Sequence, residues 1–176
     1  MSDDFRQRMV GFLPRLRRFT FALAGNASDA DDIAQEACFR ALAHESQWKP
    51  GTRFESWMFR IAQNVWIDRR RSQLARGPHH DMDAVPEPIG TDGREVTEGR
   101  LTLAAVLKGM DSLNEDQRAL IALVCIEGAS YKEAAETLMV PIGTVMSRLA
   151  RARQALHAKL VPTSGDGRFV KETTGG

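Results

Sequence analysis

Ser130-Tyr131-Lys132-Glu133-Ala134-Ala135-Glu136-Thr137-Leu138, followed by Met139-Val140-Pro141 and Ile142-Gly143-Thr144-Val145-Met146-Ser147-Arg148-Leu149-Ala150-Arg151-Ala152-Arg153, is the stretch on which the fold turns. Its first four residues read as a capping box, in which a serine hydroxyl and a glutamate three residues on satisfy each other's orphan backbone N–H groups. They start a helix of about eight residues. Met139 to Ile142 make a tight turn, and a last helix runs from Gly143 to Leu160. Two short helices joined in this way, with the second one basic, form a helix-turn-helix pattern. Ala134, Ala135 and Leu138 face the core from the first helix. Val145, Leu149, Ala152 and Leu156 recur at three- and four-residue spacing in the second and face inward. That leaves Thr144, Ser147, Arg148, Arg151 and Arg153 outward near the helix start, where hydroxyls and guanidiniums reach phosphates and guanine edges in a major groove. An ordinary solvated basic face would carry similar charge. The capped short helix, the tight turn and the absence of any acid from 143 to 160 favour nucleic acid.

Upstream of this motif the same domain, 98–160, continues with Leu101, Leu103, Val106, Leu107 and Met110 on one helix. Asn114 and Gln117 open the next, which reaches Gly128 as its stop. Residues 77–97 lack periodicity and are rich in Gly, Pro, His and acid, the composition of an extended, solvated linker. The first domain, 1–76, has a helix over about 4–24, with Pro14 expected to begin a second segment. Ser28 is expected to cap a helix over 29–44, whose inward stripe is Ile33, Ala37, Cys38, Ala41 and Leu42. Thr52 to Glu55 read as a second capping box. The helix after it, to about 75, is unusually aromatic (Phe54, Trp57, Phe59, Trp66) and turns basic at Arg69, Arg70, Arg71 and Arg76. Trp57 and Phe59 are expected in the core. Residues 161–176 form a Gly/Thr-rich tail, expected to be mobile. The fold class is therefore all-α, two small helical domains on a flexible linker.

The chain has 176 residues and a formal net charge of +1. By segment the charge is +4 over 1–76, −4 over 77–97 and +1 over 98–160, so basic faces are separated by an acidic strip. That distribution suits a nucleic-acid binder better than the total does. No apolar run approaches the roughly 18 residues of a membrane span. The acidic Met1-Ser2-Asp3-Asp4 start is not that of a secretory signal, so a cytoplasmic location is expected. Cys38 and Cys125 lie far apart in apolar patterns and read as small buried hydrophobes. The sequence gives no ground for a cofactor.

Three segments together resemble the extracytoplasmic-function group of bacterial sigma factors. Pro141 to Arg153 resembles the group's promoter-recognition helix. Asp29-Ala30-Asp31-Asp32-Ile33-Ala34-Gln35-Glu36 looks like its polymerase-docking segment, and Phe54 to Asn64 looks like its promoter-melting helix. The order and spacing match over roughly 5–160, which implies a region 2-like bundle and a region 4-like helix-turn-helix domain. The resemblance implies that Thr144, Ser147, Arg148, Arg151 and Arg153 read the upstream (−35) element as duplex. It implies that the helix from Phe54, with the loop 45–53 before it, holds the opened −10 element. Asn64 matches the group's strand-contacting position, and Arg70, Arg71 and Arg76 become phosphate partners. Aromatic and basic surfaces suit single strands, whose bases stack and whose backbone attracts arginine. A loop pocket can also take a base flipped from the stack. Asp31, Asp32, Gln35 and Glu36 would dock on core RNA polymerase, although a plain acidic N-terminal turn would look the same. An anti-sigma partner is implied by resemblance alone. Met146 departs from the group, standing where a lysine or arginine is usual, so one phosphate contact fewer is expected.

Two other readings compete. A stand-alone helix-turn-helix regulator would bind DNA without polymerase, but it has no use for the first domain's acidic and aromatic helices. A metal-dependent hydrolase could use His79, His80, Asp81 and Asp83. Those residues sit in the linker, with no helix or strand to fix a coordination geometry.

Overall fold

The computed structural model describes residues 3–76 and 104–160, and within them all regular structure is helical. Three helices build the first domain: α1 (Asp3–Ala24), α2 (Ala27–Ala43) and α3 (Phe54–Arg76). A single 3-10 turn, Glu45–Gln47, leads into the loop before α3. The inward faces carry Phe5, Phe12, Phe19, Phe54, Phe59 and Trp66, all nearly or fully buried. Their rings meet edge-on or tilted, with Phe12 and Phe19 at 4.9 and 4.6 Å from Phe59. Such pairs add about 0.5–1.5 kcal/mol each beyond the area they bury.

Several local expectations were not met. Pro14 does not divide α1, which is continuous from Asp3 to Ala24. Pro14 is exposed, so the backbone carbonyl that loses its partner faces water, while Phe12, Leu16, Phe19 and Leu23 hold both halves on one core. The cap of α2 is Asn26, not Ser28: its side-chain oxygen accepts from the Asp29 N–H at 2.9 Å. Thr52 makes no capping box, because its hydroxyl donates instead to the Lys49 carbonyl at 2.7 Å and α3 begins at Phe54. On α2 the buried stripe is Ala30, Ile33, Ala34, Ala37 and Ala41; Leu42 is exposed and Cys38 only half-buried. Phe59 is core, whereas Trp57 is half-buried on the rim.

The second domain has a helix α4 over 104–110, α5 (Glu115–Ile121), a widened π-type turn (Ala122–Ile126), α6 (Tyr131–Leu138) and α7 (Ile142–Leu160). Leu101, Leu103, the linker residues 77–97 with His79, His80, Asp81 and Asp83, and the tail 161–176 lie outside the described residues. The Asn114/Gln117 and Ser130/Glu133 capping boxes are both formed. The α5 run closes with Glu127 N–H on the Ala122 carbonyl at 3.0 Å and Ala129 N–H on Leu123 at 2.9 Å, across Gly128 at φ +70°. Cys125 is exposed there, against expectation, because the wide turn rotates it off the inner face. Between α6 and α7 the chain turns at Met139, a left-handed residue at φ 55°. Val145, Leu149 and Ala152 are buried as their spacing predicts.

The two domains share one hydrophobic core. The wide turn rests on α1, and α6 rests on α3. Across this seam Arg118 of α5 is 3% exposed and donates from Nε to the Ala22 carbonyl at 3.1 Å.

Candidate nucleic-acid interface

Three surfaces carry the residues singled out by the sequence. The first is the outer side of α7. Ser147, Arg151 and Arg153 are exposed, and Thr144 and Arg148 are half-buried. Arg148 pairs with Asp116 at 2.7 Å, and Arg153 donates to the Tyr131 hydroxyl at 3.3 Å. Arg151 has no hydrogen-bond or ion-pair partner among the described residues. It stands free on the helix face opposite Val145 and Leu149. Met146 is also outward, 54% exposed, with Ile142 one turn before it at 50%.

The second surface is a cleft of about 410 Å³ between the loop 47–53 and the start of α3. Trp48 and Trp57 supply flat walls; Lys49, Arg53 and Arg60 supply charge. The Trp48 indole N–H is buried without an acceptor among the described residues. Trp48 and Arg53 were not named as site residues from sequence. The signal for them was an aromatic beside a Lys-Pro-Gly turn. Along α3 beyond the cleft, Asn64 and Arg71 are exposed, and Arg76 donates to Ser72 at 2.8 Å. Arg70 turns towards the seam instead, with its guanidinium 5.2 Å from the centre of the Trp66 ring and 4.0 Å from Glu115. The structure therefore does not gather the four predicted strand contacts at one place.

The third surface is the face of α2. Asp31, Asp32 and Gln35 are exposed and Glu36 is half-buried, so this patch is open rather than sealed in the core. Surface arginines pair with it: Arg17 with Asp31 at 2.8 Å, Arg69 with Asp32 at 3.3 Å and Arg40 with Glu36 at 2.8 Å. Phe39, 62% exposed, follows Asp32, Gln35 and Glu36 at helical spacing and extends the same face to Leu42. Sequence reasoning passed over Phe39, although an aromatic one turn beyond the acidic patch was visible.

The seam covers part of the second surface. Glu136 of α6 lines the cleft, and Glu133 pairs with Arg53. The Glu133 carboxyl is held below its ordinary pKa, first by the Ser130 N–H and then, against some burial, by Arg53. Arg60 donates to the Thr137 carbonyl at 3.3 Å and to Met139 Sδ at 2.9 Å. Behind α6, the Glu127 side chain is fully enclosed and accepts from Arg15 and Arg18, both at 3.1 Å. This pairing raises the pKa of Arg18. Arg118 also pairs with Asp111 at 2.8 Å. Burial, with Arg70 nearby, pulls its pKa down, and Asp111 opposes the shift. Its Nη2 has no hydrogen-bond partner among the described residues, and a Cβ at Gly25 would stand 3.1 Å from it.

Comparison with known proteins agrees across both domains. Residues 10–76 match the Sigma-70 region 2 family, and residues 103–156 match Sigma-70, region 4. The chain is 34% identical to the ECF RNA polymerase sigma factor EcfG of Rhodopseudomonas palustris, over 91% of this chain and 87% of the relative. It is 32% identical to the ECF RNA polymerase sigma factor SigW of Bacillus subtilis, over 90% of each. Among solved structures it is similar to the sigma factor RpoE in complex with the anti-sigma factor NepR from Bartonella quintana. That match has a TM-score of 0.72 and 29% identity, and covers 90% of this chain and 98% of that one.

Proposed function

Because the chain belongs to the extracytoplasmic-function sigma factors of RNA polymerase, we propose that its three surfaces divide the work of promoter recognition among them. The face of α2 from Asp31 to Leu42 docks core polymerase, its exposed apolar end supplying area and its carboxylates supplying register. The cleft of Trp48, Lys49, Arg53, Trp57 and Arg60, continued by Asn64 and Arg71 on α3, holds the opened −10 strand. The outer side of α7 enters the major groove of the −35 duplex with Thr144, Ser147, Arg148, Arg151 and Arg153. Arg70 and Arg76 contribute charge along the strand path once the seam is open.

One observation carries this reading: an aromatic, cationic cleft and an acid-free recognition helix occur in one chain with an exposed acidic-apolar helix face. A stand-alone regulator would use only the recognition helix. The solved relative is bound to an anti-sigma factor, and the same kind of inhibitory partner fits this chain. No described helix is long and apolar enough to cross a membrane, and a protein working on RNA polymerase works in the cytoplasm. Run-off transcription is the direct test. Core polymerase mixed with the chain should initiate at specific promoters. If a panel of candidate promoters gains no specificity, the reading fails.

A further inference from the structure

We propose that the cleft assigned above to the −10 strand has an internal competitor, the acidic face of α6, whose carboxylates engage its cationic lining in place of strand phosphates. The inference rests on the preceding assignment of that cleft. Glu133 and Glu136 are three residues apart, hence on one face of α6. Glu133 pairs with Arg53, and Glu136 lines the cleft with Lys49 and Arg60. Apart from Glu136, the charged groups lining the cleft are the cations Lys49, Arg53 and Arg60, so α6 brings the charge that two nucleotides would bring.

This arrangement is incompatible with promoter binding. The −35 and −10 elements are about 25 base pairs apart, which is ~85 Å at 3.4 Å per step. In the structure α6, the neighbour of the recognition helix, touches α3 directly. The chain therefore has to open before both elements are held, and opening withdraws the two carboxylates from the cleft. The seam is suited to opening. Its enclosed anchor Glu127 rests on partners that are themselves well exposed, with Arg15 and Arg18 side chains at 41% and 59%. Its buried Arg118 leaves one nitrogen unpaired, a cost that persists only while the domains are together.

The test uses the full-length chain and a fluorescein-labelled single strand carrying the nontemplate −10 segment of a promoter that the holoenzyme transcribes. The double variant Glu133→Gln/Glu136→Gln removes both charges, and glutamine at 133 can still complete the capping box. Free in solution, this variant should bind the strand about tenfold more tightly than the unmodified chain, as expected if roughly nine-tenths of the molecules are closed. With core polymerase bound, the two proteins should bind it equally. Arg53→Ala separates the two claims. If Arg53→Ala weakens strand binding by the holoenzyme while the double variant gains nothing as a free chain, the internal competitor is excluded and the cleft assignment stands. If Arg53→Ala leaves holoenzyme binding unchanged, the cleft does not hold the strand and both readings fall.

Discussion

The two surfaces that meet promoter DNA are in opposite states. On α7, Ser147 and Arg151 point away from the protein with nothing over them. At the cleft, α6 sets Glu133 on Arg53 and Glu136 in the lining. Both surfaces are basic, so the difference is not one of composition. It arises because Glu133 and Glu136 project from the first helix of the motif towards α3, while the second helix carries no acid. One domain thus presents an open reading face and, from its adjacent helix, closes the other domain's site. On the proposal above, strand holding waits for separation.

The largest expected effect concerns the seam that maintains this asymmetry. Arg118→Ala removes the buried donor to Ala22 and leaves a cavity beside Trp66. It should lower unfolding free energy by about 3 kcal/mol, measured by denaturant midpoints. A loss under ~0.5 kcal/mol would show that the domains lean on each other through apolar contact alone. Glu127→Gln should cost roughly 1–2 kcal/mol. It should also raise the radius of gyration in solution scattering, because two arginines lose an ionised acceptor. An unchanged scattering profile would place the gate at α6 only.

Predictions for the open face and its turn are smaller. Arg151→Ala should weaken holoenzyme binding to −35 duplex, with a salt slope shallower by about 0.9 for one lost phosphate contact. An unchanged slope would assign Arg151 to a base edge or to solvent. Met146→Arg should do the reverse, steepening that slope by about 0.9, without altering single-strand binding at the cleft. Smallest of all, Met139→Gly should relieve the left-handed turn by about 1 kcal/mol. If thermal unfolding is unmoved, the Arg60 contact to Met139 offsets the backbone strain.

The sequence exposed most of the second domain and less of the seam, for a physical reason. The capping box at Ser130 is local, since its partner lies three residues away, and it formed as read; Asn114 and Gln117 open α5 as expected and there close a box as well. The inward spacing of Val145, Leu149 and Ala152 is equally local. Pro14 continues a helix because tertiary packing on an aromatic face holds it. At Thr52, which turns its hydroxyl back to Lys49, and at Asn26, which caps α2 in place of Ser28, one local hydrogen bond simply replaced another. The seam depends on pairs separated by about a hundred residues, such as Arg15 and Arg18 with Glu127. No periodicity marks them. Arg118 follows Glu115, Asp116 and Gln117 at the polar start of α5, so nothing local marks it as the charge that is buried. The recognition face was legible because its chemistry is concentrated on one helix, whereas the cleft is assembled from a loop, a helix start and a distant helix.

The widened turn at Ala122–Ile126 has a consequence for register. A π-type turn holds one residue more than the α-helical ladder needs. Deleting a single residue there would restore regular winding and rotate everything downstream by about 100°. Glu127 would swing away from Arg15 and Arg18, and α6 would be re-aimed relative to α3. The angle at which the helix-turn-helix meets the first domain thus depends on the register of this one turn.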